Sequence, residues 1–485
     1  MRKLKLFCML LISLGFMCPL LLVPLIYAAV NGEQQMIKAF AAPLLIAFFL
    51  SVPSFFTLKC ASKKNQLRLR SKDGFLLVTL TWFLISLLGM LPYYLSIHGI
   101  SFADAIFESC CGFATTGGST FANIEVLSRS LLLWRSITHW AGGIGIVVLS
   151  VALLPILGVG GFQLIKAEIS GPDKEQITPK IAGAAKMLCV IYFSLTLILF
   201  VLYLIGGMPI FDAVCHSFAI LATGGVSTKN IGLAAYKSPF IEIVTTIFMF
   251  AAAFNFSLYI RLLQKKPKDV FFNTEARTYI FIFIAALALI TYSLIPTYGS
   301  FSAALRFASF NTASIISTTG SSLNNYDIWN PFAKSILLIL MLIGGCSGST
   351  ACGIKMIRIS VLFKQAANEI KRLIYPRGVF SIRLNNKVGR KDVVYGVAGF
   401  VFLYLSVIAV TTIITAGAGI DMGTSFSAAI AVTSNVGIAF AGVAPFSNYS
   451  FFPDHIKLLF SLVMIASRLE FWSVIVLFTK DYWRN

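Results

Sequence analysis

Hydrophobic positions in this chain form long, nearly unbroken stretches instead of alternating or heptad patterns. Ten of these reach the roughly 20 residues that a helix needs to cross the hydrocarbon core of a bilayer. They lie near 5–29, 37–58, 75–97, 136–160, 183–206, 239–263, 278–297, 332–360, 393–416 and 456–479. The first run follows Arg2, Lys3 and Lys5 and ends in Ala28 and Ala29, a pattern that also fits a cleaved leader. It is too long for a typical leader core, which favours a retained helix. The polar segments between runs are of two kinds. Lys59, Lys63, Lys64, Arg68, Arg70 and Lys72 crowd the segment after the second run, and Arg261, Lys265, Lys266 and Lys268 the one after the sixth. Lys364, Lys371, Arg372, Arg377, Arg383, Lys387, Arg390 and Lys391 fill the gap between the eighth and ninth. Basic loops stay on the cytoplasmic side, so these three, and with an even number of crossings both termini, are expected there. The loop from Lys166 to Lys180 is balanced by Glu168, Asp173 and Glu175 and adds little.

The opposite loops, 98–135, 207–238, 298–331 and 417–455, are too long for simple connectors. Each holds an apolar stretch too short to span, followed by small polar residues and glycine, which predicts a re-entrant half-helix with an extended return. One frame aligns the four: Thr115, Thr116 and Gly117; Thr223, Gly224 and Gly225; Thr318, Thr319 and Gly320; Asn435, Val436 and Gly437. The third-position glycines recur at intervals of roughly 95 to 120 residues, far beyond solenoid periods. Each copy sits between two spanning runs in the same orientation, so the repeats are parallel and imply a pseudo-fourfold axis along the membrane normal. Any single copy reads more readily as small residues letting helices pack closely; four copies in one frame do not. An all-α membrane protein follows, with four helix–pore loop–helix repeats around a central pore after an N-terminal helix pair. The expected division is 1–72, then repeats at 73–180, 181–274, 275–390 and 391–485.

Chemistry gives this frame a purpose. An ion leaving water needs its hydration shell replaced, and rings of backbone carbonyls from four strands supply the oxygens. Glycine permits the dihedrals that aim successive carbonyls at one axis, and the half-helices point their partly negative C-terminal ends at the membrane centre, favouring a cation. Thr115, Thr223 and Thr318 add hydroxyls at the inner mouth. Asp104, Glu108 and Asp212 fit either an acidic vestibule or helix caps. His139 and His216 fit packing or hydrogen bonding better than ligation.

Two features suggest a gate. Run eight is interrupted by Gly344, Gly345, Cys346, Ser347, Gly348, Ser349, Thr350, Ala351, Cys352 and Gly353, a poor helix at about 1 kcal/mol per glycine relative to alanine. Non-helical backbone at that depth must be buried in protein or line water, so a loop across the pathway competes with a simple kink. Arg468 lies about 18 Å along run ten at 1.5 Å per residue, too deep to snorkel. It is expected under the pore as a barrier to cations or in an ion pair, Glu470 of a second copy being one partner. Lys355 and Arg358 read as cytoplasmic interface charges.

Composition narrows the alternatives. Hydrophobic residues make up 58% and charged residues 12%, about half the charged share of a soluble protein. The 39 basic against 19 acidic residues give +20, but they lie in loops as topology requires, so nucleic-acid binding is not expected. Nine cysteines without a CxxC pair indicate neither a disulfide framework nor a zinc site. HExxH, GxSxG and GxxxxGK[ST] motifs are missing, which argues against an enzyme. A transporter coupled to a proton or sodium gradient would carry midplane carboxylates and inverted repeats; here carboxylates are few and the repeats parallel.

The four filter segments are degenerate counterparts of the potassium-channel signature Thr-Val-Gly-Tyr-Gly. Together with His139-Trp-Ala-Gly-Gly-Ile-Gly-Ile146, the glycine-rich stretch from Gly344 to Lys355, and Arg468-Leu-Glu470, they make the whole chain resemble the TrkH family of the Trk/Ktr/HKT potassium transport superfamily. That resemblance implies potassium uptake across a bacterial inner membrane, with K+ (and Rb+) held at the filter residues and no organic cofactor. It also implies a gating role for residues 344–353, a homodimer with one pore per protomer, and a cytosolic ring of nucleotide-binding RCK subunits of the TrkA kind as regulator.

Overall fold

The structure, a computed structural model, describes residues 2–62, 71–157, 177–385, 387–388 and 391–484. Lys63, Lys64, Arg68, Arg70 and Arg390, and the loop carrying Lys166, Glu168, Asp173 and Glu175, lie outside the described residues. Among the described residues the chain is helical except for connectors and one short antiparallel ladder, Arg383–Leu384 against Lys387–Val388, in the basic loop between runs eight and nine.

The first run is two helices, Arg2–Leu14 and Met17–Val30, which pack along Gln34–Ser62. Thereafter one unit occurs four times: a spanning helix, a short helix, an extended return and a second helix. The spanning helices are Ser71–Gly89, Ile177–Ile205, Thr274–Tyr298 and Lys391–Gly417. The short ones, called pore helices 1 to 4 here, are Phe102–Ala114, Ile210–Leu221, Phe301–Ile316 and Met422–Thr433. At 1.5 Å per residue none reaches the roughly 30 Å of a hydrocarbon core.

Local sequence sets both ends of these helices. Ser101, Ser300 and Asp421 cap pore helices 1, 3 and 4, each side chain accepting from the amide three residues on, and helix 2 starts after Pro209. At the other end all four stop in one way. Thr115, Thr223, Thr318 and Asn435 are left-handed, with φ of 56°, 55°, 56° and 53°. The following amides of Thr116, Gly224, Thr319 and Val436 donate back to Cys111, Ala219, Ser314 and Ala431. This paired closure satisfies carbonyls that a helix end would leave bare. The last turns of all four are buried at the centre of the protein, whereas the spanning helices expose apolar faces such as Phe193, Leu197, Phe281, Ile284 and Phe402.

The second helices depart from the expected straight crossings. Run eight is split as expected, into Pro331–Ile343 and Met356–Ile374. Runs six and ten are broken too: Pro239–Ala252 meets Phe256–Leu263 at 95°, and Asp454–Arg468 meets Trp472–Phe478 at 107°. In run six Asn255 is responsible, its Oδ1 accepting from Ser257 N at 2.9 Å to start a new helix. In run ten the chain turns through Glu470, at φ 57°. The helix from Arg129 continues unbroken to Leu157.

Candidate functional site

The aligned glycines converge. A Cβ placed on Gly117 would lie 2.9, 3.2 and 3.2 Å from the carbonyl oxygens of Val436, Gly224 and Thr319, the second filter positions of the other three repeats. Around the ring, Gly225 abuts the Thr319 carbonyl, Gly320 the Val436 carbonyl, and Gly437 the Gly117 backbone. The repeats therefore surround one axis in chain order. Above the ring is a pit lined by Gly117, Gly225, Gly320, Ile438, Arg135 and Lys229.

The first filter positions carry strain. A β-branched residue in the left-handed region is a conformational outlier, costing of order 1–3 kcal/mol, and three of the four positions are threonine. Their side chains face different surroundings. Among the described residues Thr115 Oγ1 is buried without a partner, and Thr223 Oγ1 donates to its neighbour's carbonyl, Ala222 O, at 2.6 Å. Thr318 Oγ1 accepts from Cys352 N at 2.9 Å. Asn435 accepts from Thr116 Oγ1 at 2.8 Å and donates to Met464 O at 3.3 Å, tying the fourth repeat to the first.

Residues 344–353 lie directly beneath. The segment folds back on itself: Ile354 N and Lys355 N donate to Leu342 O and Ile343 O. A Cβ on Gly344 (φ +71°) would strike the Cys352 carbonyl, so the two ends approach this closely only with glycine there. The loop is latched to the run-six break. Cys346 N donates to Ala253 O at 2.9 Å, Thr350 Oγ1 to Ala252 O at 3.0 Å, and Phe256 N to Gly348 O at 3.1 Å. Buried Glu275 accepts from Ser347 N at 2.5 Å and Asn255 Nδ2 at 3.3 Å.

Arg468 is 2% exposed. One of its terminal nitrogens donates to Thr350 O (2.6 Å) and Cys352 Sγ (3.1 Å), the other to Gly142 O (3.0 Å), while Nε has no partner among the described residues. Within the chain Glu470 pairs with Arg358 at 2.5 Å. Arg358 and Lys355 are not surface charges. Both are buried, Lys355 Nζ donates to Ala351 O, and the Arg358 guanidinium lies 3.8 Å from the Phe400 ring centroid. Together they fasten the loop where it leaves the pore.

The outer carboxylates are engaged. Asp104 takes Lys457 at 2.7 Å beside its capping serine. Glu108 meets Arg135 at 3.3 Å, and Asp212 accepts from Thr228 Oγ1 at 2.7 Å. His139 is buried with its ring against Gly224, and His216 is hydrogen-bonded through both ring nitrogens. Among the described residues no cluster of His, Cys, Asp or Glu could hold a metal. Glu275 and Asn255 do not stand out in the sequence reading. A lone Asn inside the apolar run Ala253-Phe-Asn-Phe-Ser257 is the available signal, as a cap in the middle of a span.

Four parallel re-entrant repeats meeting backbone to backbone on one axis define a multi-pass membrane protein of the pore-loop class. A family model described as a cation transport protein, TrkH, matches residues 45–484; the chain belongs to that family. It is 36% identical to the Trk system potassium uptake protein TrkH of Vibrio parahaemolyticus, over 87% of this chain and 88% of that one. Against TrkG of Escherichia coli K12, another Trk system potassium uptake protein, identity is 32% over 96% and 95%. The crystal structure of the potassium transporter TrkH from V. parahaemolyticus superposes with a TM-score of 0.90 at 31% identity, covering all of both chains.

Proposed function

We propose that this protein takes up potassium across the bacterial inner membrane through a channel-like filter formed by Thr115–Gly117, Thr223–Gly225, Thr318–Gly320 and Asn435–Gly437. The observation that carries this reading is the convergence of the second-position carbonyls of Gly224, Thr319 and Val436 on Gly117 of the first repeat, since rings of such carbonyls can replace the water around a monovalent cation. The names of the relatives support potassium as the ion. In purified protein reconstituted in liposomes, K+ and Rb+ are expected to enter readily and Na+ and Li+ poorly. Equal entry of all four ions would defeat the reading. Flux that follows the K+ gradient alone, unchanged by imposed proton or sodium gradients, separates it from the coupled symporter.

Residues 344–353 with Arg468 act as the gate in this reading. Supporting this, the loop is bonded to the filter through Cys352 N and Thr318 Oγ1. A hydrogen bond to a charged group contributes about 1.5–3 kcal/mol, so Glu275→Ala is expected to raise Rb+ flux roughly tenfold or more by freeing the Ser347 amide. Glu275→Gln, which keeps an acceptor, should remain near the parent. Equal flux from all three proteins would remove Glu275 from the gate.

The family resemblance supports a homodimer with one pore per protomer and a cytosolic nucleotide-binding RCK ring as regulator; the basic loops support both termini in the cytoplasm. The divisions at 72, 180, 274 and 390 are proposed as the repeat boundaries.

A further inference from the structure

The filter strands are held from behind by a set of side chains that the fourfold frame makes visible. Seven places before the first filter residue, on the pore helix, stand Glu108, His216, Asn311 and Ala428; four places after it, on the return, stand Ser119, Ser227, Ser322 and Ala439. In the first repeat Glu108 Oε1 accepts from Ser119 Oγ (2.6 Å), Thr120 N (2.6 Å) and Thr120 Oγ1 (3.2 Å). In the second, His216 Nδ1 donates to Asp212 O, a carbonyl that can only accept. Its Nε2 is thereby left to accept from Ser227 Oγ at 2.9 Å. In the third, Asn311 donates to Asn324 Oδ1 at 2.8 Å, and Ser322 Oγ lies 3.4 Å from Asn311 Oδ1 while donating to Asn324 O at 2.6 Å. Three chemically unrelated residues thus serve one geometric purpose. The fourth repeat has alanine at both places. There the Tyr449 hydroxyl donates instead to Gly437 O at 3.0 Å, and Tyr449 N donates to Ser119 O at 2.7 Å on the first repeat's strand.

We propose that Glu108, His216 and Asn311 are positioning residues that clamp the outer filter strands of their own repeats, and that Tyr449 performs this task for the fourth. None is an ion ligand. Each acts by fixing how far its strand can retreat from the axis, so the wall is stiffest at the first repeat and depends most on a distant aromatic hydroxyl at the fourth. The inference rests on the filter reading above, because only carbonyls that coordinate an ion make such positions matter.

The test uses the purified full chain in liposomes and reads the ratio of Rb+ to Na+ entry. Losing one neutral hydrogen bond is worth about a threefold to tenfold change in an equilibrium, so Ser227→Ala and Tyr449→Phe are each expected to lower the ratio by that order. His216→Ala should match Ser227→Ala, and the pair combined should be no worse than either alone, as for two partners of one interaction. Asn311→Ala, which removes the donor to Asn324 Oδ1, should lower the ratio likewise. Gly225→Ala is run alongside. If it destroys selective entry while Ser227→Ala, Tyr449→Phe and Asn311→Ala elute as the parent does and keep its ratio, the clamps are refuted and the filter stands. If Gly225→Ala also keeps the parent's flux and ratio, the filter reading itself fails.

Discussion

Arg468→Ala should admit cations roughly tenfold faster, or more, than the parent protein, measured as Rb+ entry into proteoliposomes. Two unit charges on the order of 8 Å apart repel by about 2 kcal/mol at an effective dielectric of about 20, a factor of roughly thirty in rate. The guanidinium also holds the loop, through Thr350 O and Cys352 Sγ, to the opposite wall at Gly142 O. If the proposed gate is right, removing it would lower the electrostatic barrier and release the obstruction together. Glu470, the nearest carboxylate in sequence, is already bound to Arg358 and offers no neutralisation. Arg468→Lys keeps the charge without the fork that spans three acceptors, and should lie between parent and alanine. A folded Arg468→Ala protein with unchanged or lower flux would take Arg468 out of the barrier.

Gly225→Ala should have the opposite effect, cutting K+ or Rb+ entry by roughly a hundredfold, which corresponds to about 2.7 kcal/mol. Alanine at φ +63° is strained by about 1–2 kcal/mol. Its methyl group would also collide with the Thr319 carbonyl oxygen and the Ser321 amide, both backbone atoms that cannot swing aside. The third strand would have to retreat, taking off the axis an oxygen of the proposed filter. Gly207 separates strain from collision: it sits at φ +84° in the turn before the second pore helix, with nothing within 4 Å of a Cβ. Gly207→Ala should therefore pass ions nearly as the parent does. Equal losses at both glycines would mean that general instability, not the ring, explains the result.

These two residues differ in how far the chain's own pattern reveals them. Gly225 is legible from the sequence alone, because a filter strand is a local pattern repeated four times in one chain. The pore-helix ends are legible too, as places where an apolar half-helix gives way to small polar residues, but that Thr115, Thr223, Thr318 and Asn435 close them in the left-handed region only the structure decided. Arg468 stands out because it lies deep in an apolar run, yet its partners do not. Thr350, Cys352 and Gly142 are more than a hundred residues away, and two of the three contacts are to carbonyls, which every residue carries. Lys355 and Arg358 pass for surface charges in the sequence for a related reason. A cation beside a loop is normally solvated, and only the fold shows that the loop's own carbonyls and Glu470 have replaced the water.

Short stretches of chain and the thickness of the bilayer thus set the hydrophobic run lengths, the split at residues 344–353 and the fourfold frame ending in glycine, and all of these are written in the sequence. Packing in three dimensions decided where unlike repeats substitute for one another. Asn435 takes up Thr116, Tyr449 stands in for an absent serine clamp, and breaks at Asn255 and Glu470 make room for the loop between them. These depend on distances between segments that are remote along the chain. A hydrogen bond needs only a donor and an acceptor within about 3 Å, so many residue types satisfy it and no sequence pattern records which pair will meet.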